Sequence, residues 1–151
     1  MVSIIDFELK YAGDFKKMNL EWLDKYGLTE APDLLMLNDP QKEIIDTGGC
    51  IFLAKDGNNI VGSAALIKES PVQFELAKMT VAPDYRGKGI SNILIETCIN
   101  KAKEMGAKRL YLASNSQLTT ALSLYIKYGF KHIAVVDAHY VTADVMMELM
   151  F

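Results

Sequence analysis

The chain has 151 residues, 50% of them hydrophobic and 23% charged, with a formal net charge of −3. That length fits one globular domain over residues 1–151, burying roughly 68–70% of its unfolded surface. The acidic balance lacks the basic stripe of a nucleic-acid binder, and no apolar run reaches the roughly 18 residues of a membrane span.

The first ten residues, MVSIIDFELK, alternate like a strand and lack the basic flank of an export signal. A cytoplasmic location is therefore expected. A helix follows, with Phe15, Met18, Trp22, Leu23 and Tyr26 at helical spacing and Gly27 as its stop. APDLLMLN forms a second, shorter helix, closed by Asn38-Asp39-Pro40, and QKEIID adds a helical turn. From Cys50 the period changes to that of strands. Two apolar runs around Asp56-Gly57-Asn58-Asn59 form a hairpin. VQFELAKMTV is the next strand, and period-two alternation puts Glu75, Ala77, Met79 and Val81 on one face.

A glycine-containing turn, Arg86-Gly87-Lys88-Gly89, then leads into a helix marked by Ile90, Leu94, Cys98, Ala102 and Met105. RLYLAS is a short strand, and LTTALSLYIKYG a helix with Leu118, Ala121, Leu122 and Tyr125 on one stripe. FKHIAVV and VMMELMF close the chain as strands, joined by a polar loop through His139 and Tyr140. The order predicts an α/β (α+β) fold: a mixed, mostly antiparallel sheet of about seven strands with helices on both faces.

Cys50 and Cys98 sit far apart inside apolar patterns and read as buried reduced thiols. His132 and His139 lack partners at metal-ligand spacing, so no metal is expected. No serine occupies a G-x-S-x-G turn either.

The turn at Arg86–Gly89 reads in two ways. It is either an ordinary strand-to-helix connection or a phosphate seat. A helix opening there leaves backbone N–H groups free and its positive dipole end exposed. Gly87 and Gly89 allow close approach, while Arg86 and Lys88 add positive charge. Neither the Walker A pattern nor G-x-G-x-x-G is present.

The segment Phe74–Phe130 resembles the core of the GNAT superfamily of N-acetyltransferases. The signature [QR]-x-x-G-x-[GA] lies on Arg86 to Ser91, with Ser91 departing from the usual glycine or alanine. About forty residues on, ALSLYIKYGF resembles the second signature, A-x-x-L-Y-x-x-x-G-F. The resemblance implies acetyl-coenzyme A as co-substrate, a cofactor core over about residues 72–130, and a cleft between the fourth and fifth strands. It implies that backbone groups of Met79 and Val81 meet the pantetheine arm, and that Arg86, Gly87, Lys88, Gly89, Ile90 and Ser91 meet the pyrophosphate. Asn92 is a further neighbour there, and Lys127 or Lys131 would meet the outer phosphate. Asn115 either bonds the pantetheine or caps the next helix. Tyr125 is the implied acid for the leaving thiolate, against the alternative of a core tyrosine. Glu75 is the implied base, against that of a structural carboxylate.

The acceptor is expected to be a small-molecule or peptide amine, chosen by residues of about 11–46 and 137–144. His139 and Tyr140 are candidates for its mouth. Between Leu20 and Asp46, Glu21, Asp24, Glu30, Asp33, Asp39, Glu43 and Asp46 face only Lys25 and Lys42. Those acids either attract a cationic amine or form a solvated helix face. Trp22 and Tyr26 are either core or cleft residues. Two other readings remain open here: a silent acyl-coenzyme A sensor, and an interaction protein whose apolar last strand pairs with a second copy.

Overall fold

The computed structural model describes residues 1–151. Its strands are β1 (Val2–Asp6), β2 (Cys50–Asp56), β3 (Asn59–Ser70), β4 (Gln73–Val81), β5 (Arg109–Ser114), β6 (Lys131–Ile133) and β7 (Val145–Met150). The helices are α1 (Ala12–Lys25), α2 (Ala31–Asn38), α3 (Ile90–Glu104) and α4 (Thr119–Lys127). The strands form one sheet in the order β1-β2-β3-β4-β5-β7-β6. Every neighbouring pair is antiparallel except β4 and β5, which run parallel because α3 carries the chain back across the sheet. No helix is long and apolar enough to cross a membrane.

The sheet has a core on each face. On one side Leu94, Ile95, Cys98 and Ala102 of α3 and Tyr125 of α4 pack on Ala64, Leu66, Phe74 and Leu76. On the other, Phe15 of α1, Leu37 of α2 and Ile44 pack on Ile51, Leu53, Ala65 and Ile67. The central strand β3 serves both cores, which explains why it is buried without a break from Val61 to Ile67.

Two strand expectations change. FKHIAVV pairs only over Lys131–Ile133, and Val135 and Val136 are exposed in the loop beyond. The second correction concerns β4. Ser63 pairs with Thr80 but Ala65 pairs with Ala77, so β4 carries one extra residue there. Lys78 takes that place at φ 53°. A one-residue bulge reverses the alternation beyond it. Ala77 therefore packs with the α1–α2 core, while Met79 packs with the α3–α4 core. Glu75 does not share a face with Met79 and Val81.

Candidate functional site

Strands β4 and β5 pair only from Gln73–Arg109 to Glu75–Tyr111. Beyond that point each keeps its outer neighbour: β4 stays with β3 to Val81, and β5 stays with β7 to Ser114. Their inner edges diverge into an open wedge. Backbone amides along such an edge offer donors and acceptors to an extended, amide-bearing ligand. Lys78 and Met79 also lack register partners on β3.

The wedge opens into two connected clefts. One is lined by Met79, Val81, Arg86, Gly87, Gly89, Ile90 and Ser91, with Lys127 at its rim. The other is lined by Glu75, Lys78, Met79, Asn115, Tyr125 and Tyr140. Met79 and Trp22 border both, so the two form one continuous path.

The first cleft ends on the start of α3. Gly89 precedes that helix at φ 81°, with no side chain capping the free N–H groups. Gly87 sits at φ 75°, and a Cβ at either glycine would meet nothing within 4 Å. Glycine is needed there for backbone conformation, and the space above stays open. Those unpartnered donors, with the helix dipole behind them, suit a phosphate. Lys127 Nζ donates to Asn92 Oδ1 at 3.0 Å beside this cradle. Lys131 lies on β6 and does not border the cleft. Lys88 points aside, its Nζ 5.2 Å from the Tyr85 ring. Arg86 Nε donates to the Val81 carbonyl at 3.1 Å, and its guanidinium stacks on Trp22 at 4.9 Å.

The second cleft holds the titratable groups. Glu75 is only 2% exposed, and its Oε1 has no hydrogen-bond partner. Burial, the largest influence, pushes its carboxyl up to about 7, and Glu69 and Asp33 push the same way against His139 and Lys78. Lys78 Nζ is paired with the Asp33 carboxylate in a buried ion pair and lies 3.5 Å from the Tyr140 hydroxyl. Burial raises the Tyr125 phenol to about 12. It also raises those of Tyr111 and Tyr140.

Three contacts of this wall were not foreseen from the sequence, where Glu30 stood only among the acids between Leu20 and Asp46. Asn19 Nδ2 donates to Ser63 Oγ at 3.2 Å, and Ser63 Oγ donates to the Lys78 carbonyl at 2.7 Å, which fixes the bulge. The Glu30 carboxylate accepts from Val141 N–H at 2.8 Å, Thr142 N–H at 2.9 Å and Thr142 Oγ1 at 2.5 Å. This ties the loop before β7 to the start of α2. Glu69 forms the third feature, beside His139. Only Glu30 had a local signal, because Glu-x-x-Asp resembles a helix-start pattern.

Asn115 borders the second cleft with its side chain committed. Its Nδ2 donates to the Thr142 carbonyl at 2.8 Å, and its Oδ1 accepts from Gln117 N–H at 3.0 Å. It does not cap α4, which is preceded by Leu118. Tyr140 lines the cleft, whereas His139 does not border it, and its Nε2 lies 3.4 Å from the Tyr111 hydroxyl. Trp22 and Tyr26 both border the phosphate-side cleft.

The model of the acetyltransferase (GNAT) family matches residues 16–130. The uncharacterized N-acetyltransferase YvbK of Bacillus subtilis is 34% identical over 126 residues, covering 81% of this chain and 80% of that protein. A GNAT-family acetyltransferase from Staphylococcus aureus superposes with a TM-score of 0.90 over 98% of both chains, at 22% identity. The PaiA N-acetyltransferase of Thermoplasma acidophilum, solved in complex with coenzyme A, gives a TM-score of 0.81. It covers 100% of this chain and 99% of that chain, at 18% identity.

Proposed function

The chain belongs to the GNAT acetyltransferase family, and from that premise we propose that it moves an acetyl group from acetyl-coenzyme A to a primary amine by direct attack. The observation that carries this reading is the meeting of two unlike clefts at Met79. An anion-seating helix start lies on one side and a buried, unpartnered carboxylate on the other.

Acetyl-coenzyme A supplies the thioester carbon that the amine attacks, so a C–N bond forms and the C–S bond breaks. The N–H groups at the start of α3, between Gly87 and Ser91, seat its pyrophosphate. The open edge of β4 from Met79 to Val81 receives the pantetheine amides, once Arg86 yields the Val81 carbonyl. The Asn115 side chain holds the loop instead, so that residue frames the cleft beside the pantetheine.

An alkylammonium with pKa of about 10.4 must lose its proton to react, at a cost of roughly 4 kcal/mol near neutrality. Glu75 takes that proton. A carboxyl titrating at about 7 is matched to this task. The Met79 N–H, displaced by the bulge, faces the carbonyl oxygen on which negative charge develops. Tyr125, still protonated at neutral pH, donates to the leaving sulfur, and the second proton of the acceptor nitrogen restores it. One proton per turnover remains on Glu75.

Following thiol release from acetyl-coenzyme A tests this reading. The acceptors are n-butylamine, putrescine, glycinamide and a peptide with a free N-terminus and an internal lysine. Release that depends on an amine, and falls about 10²-fold in Tyr125→Phe, supports the transferase. Release that ignores every amine contradicts it.

A further inference from the structure

A base that takes one proton per turnover must return it to solvent, and Glu75 is only 2% exposed. The groups facing it come from five elements: Asp33 from α2, Glu69 from β3, Lys78 from β4, Tyr111 from β5, and His139 and Tyr140 from the loop before β7. Most of these lead nowhere. Lys78 and Asp33 are bound to each other, with side chains 6% and 3% exposed. Tyr111 and Tyr140 hold their protons more tightly than a free phenol.

Glu69 and His139 differ. Their side chains are 29% and 49% exposed, and His139 Nε2 lies 3.5 Å from Glu69 Oε1. A carboxylate oxygen each of Glu69 and Glu75 and a ring nitrogen of His139 all lie within 4.8 Å of one another. The cluster thus runs from the buried carboxylate to a half-exposed imidazole. The Tyr111 hydroxyl lies 3.4 Å from His139 Nε2.

We propose that His139 is the outlet through which the proton taken up by Glu75 reaches solvent, with Glu69 stabilising the imidazolium formed on the way. A water bridging the cluster takes the carboxyl proton as that O–H bond breaks and gives one of its own to Nε2, and the ring releases one proton to water or buffer. No other group changes its charge. His139 acts through Glu75 and never touches the acceptor, so it is a positioning and relay residue. The inference rests on the reading of Glu75 as the base.

Two measurements test it. In the thiol-release assay with the amines above, His139→Ala lowers kcat about tenfold or more and leaves KM for acetyl-coenzyme A unchanged. Added imidazole restores the rate. His139→Gln, polar but unable to take up a proton, is equally slow. Full activity in either variant overturns the relay, as does a loss that imidazole does not reverse.

The second measurement needs no acceptor: δ-13C-glutamate NMR of the Glu75 carboxyl through its titration at about 7. The relay predicts a narrower line in the wild type than in His139→Ala, with imidazole sharpening the variant's line. Identical line shapes overturn it. If no amine is acetylated while the lines behave as stated, the transferase reading has failed and the proton path stands.

Discussion

Glu75 and Met79, four positions apart on β4, face opposite sides of the sheet because Lys78 forms a bulge between them at φ 53°. Without that extra residue the Met79 side chain would share the face of Glu75, on the α1–α2 side. With it, the carboxylate faces the α1–α2 side and Met79 packs toward α3 and α4. On the proposed reading, the two halves of the reaction meet at this strand.

The bulge depends on Ser63, whose hydroxyl holds the Lys78 carbonyl at 2.7 Å and accepts from Asn19. Ser63→Ala leaves Asn19 and the Lys78 carbonyl each short of a bond, at about 1–3 kcal/mol in denaturant unfolding. It also loosens the Met79 N–H. Thiol release falls roughly tenfold in kcat, with KM for acetyl-coenzyme A unchanged.

Glu75 itself destabilises the fold at high pH. Its folded-state value of about 7 lies above the ordinary 4.5. The stability contributed by the neutral carboxyl is full below about 4.5 and is lost as pH rises through about 7. Glu75→Gln, which cannot ionise, is therefore more stable than the wild type above pH 7, by up to about 3 kcal/mol. Chemical denaturation at pH 5 and pH 8 reads the difference, which must grow with pH.

Lys78 and Asp33 form a pair with almost no exposure to water. Lys78→Met strands the Asp33 carboxylate in the interior and costs about 3–5 kcal/mol. The double variant Lys78→Met/Asp33→Leu recovers most of that loss, because neither charge is then left alone. A double-mutant cycle in unfolding free energy checks the coupling.

On the proposed reading, Glu30 bears on acceptor binding and leaves cofactor binding alone. The Thr142 hydroxyl, ahead of the Thr142 and Val141 N–H groups, holds its carboxyl below the ordinary value. Removing it in Glu30→Ala frees the loop that carries Tyr140. KM for the amine rises several-fold, while KM for acetyl-coenzyme A stays constant. Parallel saturation curves for the two substrates distinguish this from general unfolding.

The elements around the glycine turn were legible in the sequence because they are local. The turn from Arg86 to Ser91 and the helix through Tyr125 each carry their pattern within about ten residues, and their boundaries followed from glycines and apolar spacing. The wall around Glu75 depends on distant partners. Nothing near Lys78 announces a bulge, which arises from register against Ser63 and Ala65 on β3. Alternation alone therefore put Glu75 on the wrong face. Glu30 meets Thr142 across 112 positions, and Glu69 meets His139 only after the sheet forms. The FKHIAVV run looked like a full strand, but β7 pairs with only three of its residues.

The central claim is that Glu75 takes the acceptor's proton, and a pH profile of kcat/KM for thiol release tests it most directly. The wild-type rate should rise with pH along a limb centred near 7, where Glu75 ionises. Glu75→Gln should lose that limb and about 10²-fold or more in rate, while still binding acetyl-coenzyme A. An unchanged limb in Glu75→Gln would show that another group carries the proton, and the role given to Glu75 would be wrong.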